Sequence, residues 1–185
     1  MRKVIFWMGI SLDGYFEGPA GELDWHCVSE ELHQFANDHL RGISLYLNGR
    51  IVHNLMADFW PTAAQTHPDS PTMVDYADIW LKKPKWVYSR TLETVGWNSQ
   101  LKREIVPADI EALKSQPGGD MAVAGANLGN AFMRLGLVDE WWIFVHPVIL
   151  GRGRRLFEEG AMQKLRLIET KVFGNGVVLM KWGKG

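Results

Sequence analysis

Two short segments of this chain combine glycine with groups that bind phosphate. The first is Gly125-Ala126-Asn127-Leu128, which follows a short apolar run. Glycine at a strand-to-helix turn lets the backbone approach an anion, and the free N–H groups of a first helical turn can hold a phosphate. The second is Gly49-Arg50, in which a guanidinium can form two hydrogen bonds with phosphate oxygens. An ordinary tight turn and a surface arginine are the alternative interpretations of these segments taken singly.

A third segment, Ser89-Arg90-Thr91, follows another apolar run. Two hydroxyl groups around a guanidinium suit a monoester phosphate, and a solvated loop is the alternative. All of these segments are expected to follow the carboxyl ends of strands, where open α/β sheets bind their ligands.

A glycine-rich loop between residues 9 and 25 carries further polar groups and could close over a ligand. Asp13, Asp24 and Glu30 are the carboxylates available for proton transfer or for hydrogen bonds to an amino-heterocycle. Asp13 with Gly14 is also an ordinary turn pair, and Glu30 has a second possible role at a helix start, where the helix dipole favours acids.

The histidines and the cysteine predict no metal site. The chain has six histidines and one cysteine, with no spacing that is typical of metal ligands. Cys27 excludes an internal disulfide and any zinc site that needs several cysteines.

Length and charge narrow the class of protein. The 185 residues suit one domain, residues 1 to 185, and the net charge of −1 lacks the basic excess of nucleic-acid binders. The apolar runs are too short to span a bilayer, which takes about 20 residues. We therefore expect a cytoplasmic protein that acts on a small molecule, with no nucleic acid and no membrane as partner.

The elements that position these segments follow from hydrophobic periodicity. Apolar runs predict strands at 4–8, 43–47, 85–88, 121–124 and 141–145, and the Gly174-Asn175-Gly176 turn predicts a closing hairpin. Helical patterns begin after Ser29, as N-cap, and cover 52–59, 107–116 and 128–135. The segment 61–71, rich in Pro, Thr, Ser and Asp, predicts a surface loop. Strands that alternate with helices before a final hairpin indicate an α/β fold, with a mostly parallel sheet and an antiparallel edge.

Together and in this order, these segments resemble dihydrofolate reductase-like proteins, and above all the reductase domain of the bifunctional riboflavin-biosynthesis deaminase–reductase and its stand-alone relatives. The resemblance covers nearly the whole chain and rests on ordered short matches, which are Ser11-Leu12-Asp13-Gly14-Tyr15-Phe16, Gly21-Glu22-Leu23-Asp24-Trp25, Gly49-Arg50, Phe59-Trp60-Pro61, Ser89-Arg90-Thr91-Leu92, Val123-Ala124-Gly125, Gly136-Leu137-Val138-Asp139-Glu140, Pro147-Val148-Ile149-Leu150-Gly151-Arg152-Gly153, Leu156-Phe157 and Gly176-Val177-Val178.

The resemblance implies a three-layer α/β/α fold, with about eight strands, and NADPH as the cofactor. Gly125-Ala126-Asn127-Leu128 would bind the pyrophosphate, and Gly49-Arg50 with Ser89-Arg90 would flank the adenosine 2′-phosphate. Asp13, Phe16, Asp24 and Trp25 would lie near the nicotinamide and the substrate. The implied reaction is hydride transfer to a small heterocycle, of the 5-amino-6-(5-phosphoribosylamino)uracil reductase type in riboflavin biosynthesis, by a homodimer.

The chain departs from the family pattern after Arg50. The family usually continues with a second basic residue, whereas this chain has Ile51-Val52-His53. Loss of one charge-assisted contact costs about 1.5–3 kcal/mol of binding free energy. The departure motivates a second hypothesis, a non-catalytic NADP(H)-binding module of the same fold. A dihydrofolate reductase is a third, for which Glu30 is the nearest candidate acid.

Overall fold

The computed structural model describes residues 1–159 and 162–185. Its strands are β1 (Val4–Ser11), β2 (Tyr15–Glu17), β3 (Leu45–Gly49), β4 (Lys85–Tyr88), β5 (Ser99–Lys102), β6 (Met121–Ala124), β7 (Glu140–His146), β8 (Arg154–Arg155), β9 (Leu165–Val172) and β10 (Val178–Lys184). Its helices are α1 (Glu30–Gly42), α2 (Arg50–Thr66), α3 (Pro71–Lys82), α4 (Pro107–Ser115) and α5 (Ala126–Arg134).

The central sheet has eight strands in the order β5-β4-β3-β6-β1-β7-β10-β9. Neighbouring strands from β5 to β7 pair in parallel, and β10 is antiparallel to both β7 and β9. The predicted mostly parallel sheet with an antiparallel C-terminal hairpin is therefore confirmed. Because the strands from β5 to β7 are parallel, their carboxyl ends meet at one edge, which is where the polar segments lie.

Helices cover both faces of the sheet, so the three-layer α/β/α arrangement is confirmed. On one face, Phe132 of α5 and Ile110 of α4 pack with alternate residues of β1, such as Phe6. On the other face, Leu40 of α1 and Trp80 of α3 pack with residues such as Ile5. Strand residues alternate between the two faces, which is why β1 is apolar at consecutive positions.

The predicted surface loop over 61–71 is wrong. Helix α2 continues through Pro61 to Thr66, and α3 begins at Pro71, so only a short turn separates them. Proline removes one helical hydrogen bond, but the helix is held there by tertiary packing. The Trp60 ring lies edge-on to the Tyr76 ring of α3, with centroids 4.4 Å apart.

Four of the described elements, α3, β2, β5 and β8, have no counterpart in the sequence-based prediction. Strand β5 is a sheet edge with the polar sequence Ser99-Gln100-Leu101-Lys102, so it shows no apolar pattern. Other boundaries differ slightly: β3 spans Leu45–Gly49 where 43–47 was predicted, and α1 begins after the Ser29 cap as predicted. In the described part of the chain, no helix combines the length and apolar character that crossing a bilayer requires.

Candidate functional site

A cavity of about 550 Å³ opens at the carboxyl ends of β1, β3 and β6. This volume is in the usual range for small-molecule sites. Its lining combines apolar side chains with the predicted phosphate-binding segments, and comprises Trp7, Met8, Gly9, Phe16, Glu17, Leu23, His26, Gly49, Arg50, Ile51, Val52, Leu55, Tyr88, Gly125, Ala126, Asn127, Leu128, Ala131 and Arg154. The fold therefore brings Gly49-Arg50 and the Gly125 segment, 75 residues later in the chain, into one site.

The start of α5 has the geometry of an anion site. Gly125 has a φ of +94°, which turns the chain from β6 directly into the helix. The N–H of Gly129 donates to the Gly125 carbonyl at 2.9 Å, so the N–H groups of the three preceding helical residues have no carbonyl within the helix. These groups carry the positive end of the helix dipole into the cavity wall.

Helix α2 also begins in this wall, with Gly49 as its N-cap and Arg50 as its first residue. Two helix N-termini therefore point their dipoles at one cavity. Among the residues that the structure describes, the exposed Arg50 has no carboxylate within ion-pair distance. Its guanidinium is thus available to a phosphate.

The Ile51-Val52-His53 departure gives this wall an apolar part. Ile51 is 52% exposed and lines the cavity. Val52 lies against the α5 turn, because a Cβ added to Gly125 would come within 2.9 Å of its Cγ2 atom. His53 is buried, and the desolvation that accompanies burial lowers its pKa.

Arg154 is a cavity residue that the sequence reasoning missed. Its guanidinium forms an ion pair with Glu17 at 2.8 Å and donates to the Asn127 side-chain oxygen at 2.7 Å. It also lies 5.0 Å from the centroid of the Phe16 ring. The basic run that begins at Arg152 was the available signal, because it follows a central strand, where parallel sheets bind ligands.

Ser89 and Arg90 lie beside the cavity, at the end of β4. Ser89 is buried, and its hydroxyl oxygen accepts hydrogen bonds from the N–H groups of Thr91 and Leu92 at 3.2 and 3.0 Å. The Ser89 hydroxyl therefore stabilises its own turn. Arg90 is exposed, and in the described chain only Tyr88 of this segment lines the cavity.

The Asp13 carboxylate lies in the turn between β1 and β2 and connects it by hydrogen bonds to the loop after β7. It accepts hydrogen bonds from the Ser11 hydroxyl at 2.7 Å, the Leu150 N–H at 3.1 Å and the Gly151 N–H at 2.7 Å. The Ser11 contact, followed by the backbone contacts, lowers the pKa of Asp13 to about 2. An acid of this strength is ionised at neutral pH, so we do not assign proton donation to it.

The other residues that were predicted near the substrate, which are Phe16, Asp24, Trp25 and Glu30, do not all lie in the cavity wall. Phe16 lines the cavity, whereas Asp24 and Glu30 are exposed and, in the described chain, are not part of its lining. Trp25 stacks on His26, with ring centroids 4.0 Å apart. His26 also lines the cavity, but the sequence did not single it out. Its role depends on the adjacent His146, which is 120 residues away in the chain, so no local pattern could reveal it.

The buried His146 makes the stability of the protein depend on pH. Desolvation, and then the charge of His26, lower the pKa of His146 from 6.5 to about 4. Below pH 6.5, His146 binds a proton in the unfolded chain, whereas in the folded chain it stays unprotonated until about pH 4. We therefore expect the free energy of unfolding to decrease as the pH drops through this range. The loss is about 3 kcal/mol of the free energy of unfolding.

Urea unfolding at several pH values between 7 and 4 measures this dependence. His146→Asn is the matched variant, since the asparagine oxygen can accept the same backbone hydrogen bond and does not titrate. We expect a shallower pH dependence in this variant, and equal slopes in the two proteins would contradict the assignment.

Comparison with known proteins agrees with the geometry. Residues 2–179 match the family model of the RibD C-terminal domain. The uncharacterized protein YyaP of Bacillus subtilis is 32% identical over 96% of this chain and 92% of its own length. The uncharacterized protein YwjB of the same organism is 30% identical over 96% of each chain.

Two solved structures share the fold at low sequence identity. RibD of Acinetobacter baumannii aligns with a TM-score of 0.66 and 17% identity, over 100% of this chain and 58% of that protein. A pyrimidine reductase-like protein of Corynebacterium diphtheriae aligns with a TM-score of 0.61 and 13% identity, over 100% of this chain and 92% of that protein.

Proposed function

Since the chain belongs to the RibD C-terminal domain family, a reductase-type family, we propose that it is an NADPH-dependent reductase that transfers a hydride to a small heterocyclic substrate. One observation carries the proposal. Two helix N-termini face a single cavity together with Arg50, which forms no ion pair with any described residue, and the remaining walls are largely apolar. Such a site suits a ligand with phosphates at one end and a flat ring at the other.

The residues present fit this cofactor. The N–H groups at the start of α5 would bind the pyrophosphate, with the positive charge of Arg154 beside them at Asn127. Arg50, at the start of α2, would contact the 2′-phosphate, and Ser89-Arg90 would flank it. The glycine at position 125 matters here, because a side chain would meet Val52 and open the turn.

The opposite end of the cavity suits a flat ring. Trp7, Phe16 and Leu23 supply apolar and aromatic surface there. When bound, NADPH would supply the hydride, and these side chains would hold the acceptor ring against it and keep water out. In this family the default acceptor is the ribosylaminopyrimidine of riboflavin biosynthesis, and we carry that over as the first substrate to test.

The position of Glu30 does not favour the dihydrofolate reductase alternative. An acid that protonates a bound pterin must lie within hydrogen-bond reach of it. Glu30 is exposed in the first turn of α1, and the lining drawn from the described residues does not include it.

Thermal shift with NADPH, NADH and NADP⁺ tests the cofactor, and the decrease in NADPH absorbance with the ribosylaminopyrimidine tests the reaction. We expect NADPH to raise the melting temperature more than NADH does. No shift at millimolar ligand would contradict the cofactor assignment. If NADPH binds but none of the candidate heterocycles is reduced, the result would favour the hypothesis of a non-catalytic NADP(H)-binding module. That hypothesis is motivated by Ile51, which stands at the phosphate end where a second basic residue was expected.

We further propose that the protein acts as a cytoplasmic homodimer that pairs through β9. This strand is one edge of the sheet, and almost all of its residues are exposed. Leu165, Leu167, Ile168 and Val172 are 36–69% exposed. An edge strand with apolar side chains is a ready surface for a second chain.

Leu167→Lys tests the dimer, because it places a charge in the proposed interface. We expect the dimer dissociation constant to rise about tenfold or more, as measured by sedimentation equilibrium. Val106→Lys is the control, since the exposed Val106 follows β5 at the opposite edge of the sheet. An unchanged dimer in Leu167→Lys, or a monomeric wild type, would overturn the proposal.

A further inference from the structure

Two imidazole rings meet beside Gly9, where His26 and Gly9 belong to the described lining of the cavity and His146 lies directly behind them. The His26 and His146 rings are edge-on to each other, with centroids 4.7 Å apart. A Cβ added to Gly9 would lie 2.9 Å from Nε2 of His26 and 3.1 Å from Nε2 of His146. Both Nε2 atoms therefore lie near one point of the wall, a position that only glycine leaves open.

The remaining ring nitrogens fix where the protons are. Nδ1 of His26 lies 2.8 Å from the Leu23 carbonyl oxygen, which can only accept, so this nitrogen carries the hydrogen. Nδ1 of His146 accepts the N–H of Cys27 at 3.0 Å, so this nitrogen is unprotonated. In the neutral rings, His26 consequently presents an Nε2 acceptor and His146 presents an Nε2–H donor.

Both rings are held neutral at physiological pH. Burial lowers the pKa of His26, and burial together with His26 lowers the pKa of His146. A proton on Nδ1 of His146 would also break the hydrogen bond from Cys27. The Asn175 side-chain amide steadies that loop by donating to the Cys27 carbonyl at 2.8 Å.

Among the residues that the structure describes, the hydrogen bonds of both rings go through Nδ1, and neither Nε2 atom has a partner. Although His146 as a residue is only 2% exposed, its Nε2 atom is not among the buried unpartnered side-chain atoms of the described chain, so this donor is open to water or to a ligand. The site thus offers one donor and one acceptor, without charge, at the apolar end of the cavity.

We propose that His26 and His146 form a subsite that binds an amide edge, with His26 accepting from the amide N–H and His146 donating to its carbonyl oxygen. The inference rests on the proposed function for the source of that edge. A lactam of the heterocyclic substrate is one source, and the carboxamide of the nicotinamide is the other. In both cases the subsite orients a flat ring by hydrogen bonds rather than by charge.

Diaminouracil and its analogue methylated on both ring nitrogens are the probes for a lactam, because methylation removes the N–H groups and keeps the carbonyls. Binding is measured by calorimetry, with and without saturating NADP⁺. We expect wild-type protein to bind the methylated analogue about tenfold or more weakly. His26→Phe, which keeps a ring for Trp25 to stack on, should remove this discrimination.

His146→Asn should weaken both probes equally, because both retain the carbonyl group that His146 contacts. Gly9→Ala should weaken diaminouracil as well, since the new methyl group displaces both nitrogens. His67→Phe is the matched control, because His67 is an exposed residue of the turn after α2. We expect it to discriminate as the wild type does.

NADP⁺ and its acetylpyridine analogue, which lacks the amide N–H, test the carboxamide in the same variants. If His26→Phe no longer distinguishes the two members of one probe pair, that pair identifies the source of the amide edge. The diaminouracil pair would indicate the substrate lactam, and the NADP⁺ pair would indicate the nicotinamide carboxamide. The proposal is overturned if wild type discriminates in neither pair, if nothing binds, or if His26→Phe discriminates as wild type does. Failure of NADP⁺ alone to bind would overturn the proposed function but leave the diaminouracil measurement on cofactor-free protein decisive for the subsite.

Discussion

Replacing Gly125 with alanine is expected to cost both stability and NADPH affinity. The residue has a φ of +94° and a ψ of 129°, a backbone conformation that L-residues other than glycine adopt only with strain of about 1–3 kcal/mol. The added Cβ would also approach Cγ2 of Val52 to 2.9 Å. Either the start of α5 or the start of α2 must move, and both line the cavity. We expect NADPH to bind about tenfold to a hundredfold more weakly, with a lower midpoint in urea unfolding.

Two further variants separate the effect of backbone strain at Gly125 from the effect of the contact with Val52. Gly136→Ala is the control for backbone strain, since Gly136 has a φ of +71° and, apart from its chain neighbours, no described residue has an atom within 4 Å of an added Cβ. It should lower stability without affecting NADPH. The double variant Gly125→Ala/Val52→Ala removes the contact but keeps the strain, so it should recover part of the affinity. If Gly125→Ala binds NADPH like the wild type, the turn at Gly125 is not part of the cofactor site.

Replacing Arg50 with alanine is expected to weaken NADPH about tenfold to a hundredfold and to leave NADH nearly unchanged. A charge-assisted hydrogen bond is worth about 1.5–3 kcal/mol, and only NADPH carries the 2′-phosphate that Arg50 would contact. Fluorescence titration with both cofactors measures the two dissociation constants. Arg41→Ala, in the last turn of α1, removes the same charge at a residue outside the described cavity lining and should change neither constant.

A substitution of opposite effect completes this test. Ile51 is half exposed in the cavity wall, at the position where the resemblance leads us to expect a second basic residue. Ile51→Lys should therefore tighten NADPH binding about tenfold and not NADH binding. Equal changes for the two cofactors in Arg50→Ala, together with no gain in Ile51→Lys, would show that this end of the cavity does not contact the 2′-phosphate.

Much of the sheet could be predicted because its strands are buried on both faces. Burial of both faces requires consecutive apolar residues, and such runs are visible at β1, β6 and β7. The edge strand β5 escaped prediction for the opposite reason, because its polar residues show no apolar run. Helix α3 does carry a local signal that the prediction overlooked, with Pro71 in its first turn and Tyr76, Ile79 and Trp80 buried at helical spacing.

The phosphate end of the candidate site could be found from sequence because a single local feature creates it. Glycine at a strand-to-helix turn directs backbone N–H groups into space, and this geometry needs only the residues around Gly125 and Gly49. What remained open was whether these turns face one another. Parallel pairing of β3 with β6, and of β6 with β1, brings them into one cavity.

Apart from Phe16, which the resemblance placed there, the substrate end was decided by the tertiary structure. Asp13 was selected by residue type, but the fold commits its carboxylate to the backbone of Leu150 and Gly151. His26 and His146 have no informative spacing, and their opposite protonation patterns come from the Leu23 carbonyl and the Cys27 N–H. The sequence by itself determined a parallel α/β sheet with glycine turns at its carboxyl edge, because those are local properties of the chain. Which side chains meet at the end of the cavity depended on contacts between residues more than a hundred positions apart, which only the folded chain brings together.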